Sequence, residues 1–215
     1  MSLPARRRSG LAHLEALRQG LAALQTDAAQ LARWGEHVAD VTLAGGRLLA
    51  TGNGGSAAQA QHLTSELVGR YRDERRPLSA LALCSEGASL TAIGNDYGGE
   101  EVFRRAVLAH GRSGDVLIAL STSGASENVL AAVSAAAELG MTTLALTGPG
   151  PNALLDAVDE GLAVSGPSTA TVQELHLVCV HLLCEAVDRR VAQREGAMPA
   201  PITTTVEARP GTWLR

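Results

Sequence analysis

From Arg47 to Gly166 the sequence alternates short aliphatic runs with helix-length stretches, an order that few folds accept. RLLATG precedes a helical pattern from Ser56, LSALALC one from Glu86, and DVLIALS one from Ser126. TTLALTG precedes a short helix, and EGLAVSG leads to a final helix from about Thr171 to Gln193. Strand-length runs that are apolar on both faces, separated by amphipathic helices, predict a parallel sheet covered on both sides. Right-handed crossovers make this a doubly wound α/β sandwich.

Upstream, Leu11, Leu14, Leu17, Leu21, Leu24, Ala28, Leu31 and Trp34 recur at three- and four-residue steps, which predicts a helical segment from about Gly10 to Val41. Its apolar stripe needs a partner, either the main domain or another copy of the chain. The expected organisation is an N-terminal helical segment over residues 1–42, an α/β domain over 43–194 and an extended tail over 195–215. The tail expectation rests on MPAPITTTVEARPGTWLR, which has three prolines and no helical period.

Composition narrows the function. All 18 basic residues are arginine, so lysine Schiff-base chemistry, pyridoxal-phosphate chemistry and a standard P-loop are excluded. A formal charge of -4 argues against non-specific binding to nucleic acid or anionic membrane. The runs LSALALC and DVLIAL are too short to span a bilayer, and no continuous apolar stretch follows the N-terminal MSLPARRRSG. Three cysteines without a CxxC pair suit a reducing compartment, so a cytoplasmic protein is expected.

Ligands of open α/β sheets collect where strands end and helices begin, and three junctions here are rich in small or polar residues. In Thr51-Gly52-Asn53-Gly54-Gly55-Ser56 the glycines allow close backbone approach and Ser56 could cap the helix; a plain tight turn would read the same. Ser121-Thr122-Ser123-Gly124-Ala125-Ser126 offers four hydroxyls that could bind phosphate without a cation, where a lone N-cap would need only Ser126. Gly94-Asn95-Asp96-Tyr97-Gly98 has an amide and a carboxylate suited to sugar hydroxyls, or is simply a polar turn.

Two regions could supply chemistry. His62 and Glu66 share a helix face four residues apart, an arrangement equally common in exposed surface pairs. Gln173, His176 and His181 lie in the apolar run VQELHLVCVHLLCE. Over the eight residues from Gln173 to His181 a helix rises about 12 Å and turns by roughly 80°, so the two share a small ligand only with difficulty. Either Gln173 reaches forward from a bent helix start, or the two serve sites in different subunits. His176 reads as a hydrogen-bonded structural residue.

Taken together, GNGGS, QHLTSELVGRY, AIGNDYG, GDVLIALSTSGASENV and QELHLVCVHLLCE resemble the sugar isomerase (SIS) domain family, and within it the phosphoheptose isomerases, from about Leu24 to Arg190. The resemblance implies a five-stranded parallel sheet, a homotetramer with active sites between subunits, a sugar-phosphate substrate and one zinc ion per subunit. It places the metal ligands on His62, Glu66, Gln173 and His181, and the acid/base pair on Glu66 and His181. Substrate contacts fall on Asn53, Gly54, Gly55, Asn95, Asp96, Ser121, Thr122, Ser123 and Ser126, with Ser56, Glu66 and Gln173 beside them. The arginines of RYRDERRP, Arg70 first, are implied as support. The chain departs from the pattern at Ala170-Thr171-Val172, where such isomerases carry a polar pair before the glutamine. The reaction implied is conversion of D-sedoheptulose 7-phosphate to D-glycero-D-manno-heptose 7-phosphate. The competing readings are a non-catalytic SIS tetramer that regulates replication initiation, which this chain resembles around LTAIGND, and a sugar-phosphate sensor.

Overall fold

The computed structural model describes residues 5–196, with side chains from residue 10 onward; the expected tail beyond Gly196 lies outside the described residues. Five strands, β1 (Leu48–Gly52), β2 (Ala80–Ala82), β3 (Val116–Ser121), β4 (Thr142–Thr147) and β5 (Glu160–Ala163), form one sheet in the order β2-β1-β3-β4-β5. Every pairing is parallel, with Leu48 opposite Val116 and Val116 opposite Thr142. All five apolar runs of the sequence supply a strand. LSALALC contributes only the three residues of the edge strand β2.

The helices are α1 (Ala5–Leu24), α2 (Ala28–Leu43), α3 (Gly55–Val68), α4 (Gly87–Tyr97), α5 (Glu101–His110), α6 (Glu127–Glu138), α7 (Ala153–Ala157) and α8 (Thr169–Glu195). Side chains alternate across the pleat and divide the interior in two. Leu48, Ala50, Ile118, Leu120, Leu144 and Leu146 face α2, α3 and α8. Leu49, Leu117, Ala119 and Ala145 face α5 and α6. This is the doubly wound arrangement that the order of runs requires.

α8 is long and apolar enough to cross a membrane by length and composition, the one such helix among the described residues, but 56% of that apolar window is buried inside the fold. Leu175, Val180, Leu183 and Val187 are nearly or fully buried in the core it shares with α2 and α3. Each contributes about 1.5–3 kcal/mol relative to exposure.

The expected N-terminal helical segment is present, and two other expectations need correction. The N-terminal segment is two helices, separated by a 3-10 turn at Gln25–Asp27 where the Thr26 hydroxyl donates to the Ala23 carbonyl at 2.8 Å. Its stripe also divides: Leu24, Leu31, Trp34 and Val38 are buried against the domain, whereas Leu11 and Leu14 are 54% and 61% exposed. The helix expected from Glu86 is a pair, α4 and α5, interrupted at Gly98-Gly99. Gly94 to Tyr97 therefore form the last turn of α4 and not a strand-to-helix junction.

Candidate active site

At the end of β1 the chain turns through Asn53 and Gly54 into α3. Gly54 (φ 54°) occupies the N-cap with no side-chain bond, so Ser56 does not cap the helix; it is buried in the first turn, its amide donating to the Asn53 carbonyl at 3.0 Å. Gly55 is needed for a different reason. The side-chain amide of Gln173 on α8 lies where any Cβ at Gly55 would project. Gln59, one turn along α3, donates to the Gln173 carbonyl. The start of α3 is thus pressed against the start of α8.

The second turn closes on itself. Ser121, buried at the end of β3, lies 3.4 Å from the Ser123 hydroxyl and 3.3 Å from that of Ser126. The amide of Gly124 (φ +62°) donates to Ser121 Oγ at 3.2 Å, and that of Ala125 to Ser123 Oγ at 3.3 Å. Ser126 holds the N-cap position of α6 without a side-chain cap bond, so its hydroxyl is not used up on its own helix. Thr122 is half-buried beside them. Asn53 and Asn128 exchange two amide bonds of 2.8 and 3.0 Å, tying the GNGGS turn to the first turn of α6. Sequence reading missed Asn128; its signal was an asparagine in the first turn after the serine run.

Further along the α3–α8 seam, His62 Nε2 and His181 Nε2 approach to 3.0 Å although 119 residues separate them in sequence. Glu66 Oε1 lies 3.5 Å from His62 Nε2. The Tyr71 ring stacks on His181 at 5.4 Å between centroids and 30° between planes. Burial, reinforced by neighbouring His62, lowers the His181 pKa and outweighs the opposing pull of Glu66. The seam also shows where the eight-residue interval on α8 goes: Gln173 abuts Gly55, and His181 abuts His62 seven residues further along α3.

Asn95 and Asp96 are exposed on the last turn of α4, where Asn95 Nδ2 donates to Asp96 Oδ1 at 2.8 Å. Among the described residues neither bonds to the two turns or the seam. His176 is fully buried, with Nε2 3.0 Å from the Thr147 carbonyl, and burial lowers its pKa. Arg70 is exposed, with Glu74 at 3.9 Å, whereas Arg75 of the same run is buried against Asp188 at 2.7 Å.

Comparisons with known proteins agree with this fold. The SIS domain family model matches residues 12–148. The phosphoheptose isomerase of Streptomyces coelicolor is 57% identical over 85% of this chain and 79% of its own length, and that of Helicobacter pylori 45% identical over 86% and 94%. The structure of phosphoheptose isomerase from Neisseria gonorrhoeae superposes with a TM-score of 0.76 at 39% identity, covering 86% of this chain and 97% of that one. With the model matched over more than half of the chain and relatives this similar along most of their length, the chain belongs to the SIS-domain family, in its phosphoheptose isomerase branch.

Proposed function

We propose that the chain interconverts D-sedoheptulose 7-phosphate and D-glycero-D-manno-heptose 7-phosphate, the first step toward activated heptoses. The observation that carries this reading is the approach of His181 to His62 at 3.0 Å with Glu66 beside it, a cluster that neither a sensor nor a non-catalytic regulator needs. Ketose-to-aldose conversion removes a proton from C1, passes through an enediolate and returns a proton at C2, with no net redox change. In this reading Glu66 is the base and His181 the acid partner, each worth on the order of 10² to 10⁴ in rate.

Without lysine, the phosphate falls to hydroxyls and amides. Ser121, Thr122, Ser123 and Ser126 are suited to it because they cluster at the start of α6, where helix amides favour an anion. Asn53, Gly54, Gly55, Ser56 and Gln173 line the neighbouring turn for the sugar. Asn95 and Asp96, exposed at the end of α4, are available to substrate held by a neighbouring copy. The exposed Leu11 and Leu14 of α1 support assembly through that helix, in line with a homotetramer. Three free cysteines support a cytoplasmic setting.

The donor set suits one zinc per chain. His62 Nε2 lies 3.0 Å from His181 Nε2 and 3.5 Å from Glu66 Oε1, so imidazole and carboxylate donors of the kinds zinc accepts stand side by side. Among the described residues no three His, Cys, Asp or Glu groups are gathered as a metal-holding set, so His62 and His181 form its nucleus and Glu66 and Gln173 its remaining candidates. Bound there, zinc would supply Lewis-acid stabilisation of the enediolate oxygens.

The test is turnover of sedoheptulose 7-phosphate followed by NMR, with and without a zinc chelator. Glu66→Gln is expected to lower kcat by at least about 10²-fold while sugar phosphate still raises Tm by mass action. An unchanged rate removes Glu66 from the mechanism. Substrate binding with no turnover in the parent points to the regulator or sensor.

A further inference from the structure

Resting on the isomerase reading above, we propose that Arg75 and Asp188 form a positioning unit that sets the alignment of Glu66 and Tyr71 on His181. Their side chains are 4% and 6% exposed and join through Arg75 Nε and Asp188 Oδ1 at 2.7 Å. The remaining guanidinium nitrogens are spent on backbone: Nη2 donates to the Glu66 carbonyl at 2.6 Å, and Nη1 to the carbonyls of Leu67 and Arg76 at 2.9 and 3.0 Å. Glu66 and Leu67 belong to the last turn of α3, whose carbonyls have no partner within the helix. A cation at that end also suits the helix dipole.

Asp188 ties these bonds to the opposite wall. It follows His181 by seven residues, two turns on the same face of α8. Its second oxygen accepts from the amides of Arg72 and Asp73 at 3.3 and 3.5 Å, which anchors the loop that presents Tyr71 to the His181 ring. The helix end carrying the base, the loop carrying the stacking ring and the helix carrying the imidazole therefore meet on one buried ion pair. Buried ion pairs contribute little net stability compared with well-packed apolar residues, whereas their directional bonds fix geometry. Catalysis is sensitive to shifts of about 1 Å, which can cost 10²-fold.

The decisive variant removes both charges together, Arg75→Met with Asp188→Leu, so that no uncompensated ion is left buried. It is expected to fold, to keep KM within about threefold because the serine turn is untouched, and to lose kcat by about 10- to 100-fold. A second readout does not depend on turnover. In histidine ring spectra the His181 resonances, displaced by the Tyr71 ring in the parent, should move toward exposed-histidine positions, as in a Tyr71→Leu control. Arg75→Lys, which keeps the charge balance but replaces the fork by one ammonium, should shift kcat and the His181 signals the same way to a smaller extent. A folded double variant with parental kcat and parental His181 signals overturns the proposal. So does loss of fold in both variants, which would make the pair a folding requirement alone. Absence of turnover in the parent overturns the isomerase reading instead, and the His181 signals then decide the positioning role by themselves.

Discussion

The serine turn after β3 and the α3–α8 seam are built in opposite ways. Ser121, Ser123 and Ser126 are consecutive enough that one strand-to-helix turn brings their hydroxyls within 3.3–3.4 Å. His62 and His181 reach 3.0 Å only because two helices that flank the same sheet face pack side by side. The groups proposed to bind phosphate are therefore encoded locally, whereas those proposed to handle protons depend on packing of the whole domain. The two should fail differently when perturbed.

The largest contrast is between Glu66→Gln, which should act on kcat, and Ser121→Ala, which should act on KM. A hydrogen bond to a charged group is worth about 1.5–3 kcal/mol, so the Ser121 variant should raise KM by about 10- to 100-fold with kcat little changed. Equal losses in kcat from both substitutions would dissolve the distinction between the two regions.

Gly55→Ala tests the point where the turns meet the seam. Its Cβ would overlap the Gln173 amide, and overpacking of this kind costs about 1–3 kcal/mol. A Tm fall of several degrees is expected, accompanied by lower turnover as α3 and α8 separate. A variant with unchanged Tm would show that the seam tolerates separation.

The smallest effect is on pH. Burial holds His176 neutral and lowers its folded-state pKa, while an unfolded histidine titrates near 6.5. The unfolded chain then binds more protons as the medium acidifies, so stability present above about pH 6.5 declines as pH falls from there toward the lowered folded value. Tm measured from pH 7.5 to 5.5 should drop, and His176→Gln should flatten the slope. The serine turn has no titratable side chain in Ser121 to Ser126 and should add nothing to that slope.

Much of this was legible in order and spacing. The runs at β1, β3 and β4 mark strands because strands buried on both faces leave no polar alternation, and Ser126 marks the start of α6 because the helix begins at the next residue. The misread elements share a cause. Gly94-Asn95-Asp96 has the residues of a turn, but its helix continues to Tyr97 and stops at the glycine pair. Ser56 has the residue type of a cap, but Gly54 occupies the cap position. Among the arginines of one loop, residue type could not distinguish the exposed Arg70 from the buried Arg75, since only packing against Asp188 does that.

The sequence by itself determined the α/β order, the two small-residue turns and the residue types available for chemistry, because these follow from interactions within a few positions of the chain. Tertiary structure alone decided that Gln173 meets Gly55, that His181 meets His62 and that Asp188 holds Arg75. Those contacts span more than 110 residues each, and their geometry comes from helices packing across a shared sheet, where no local periodicity records the partner.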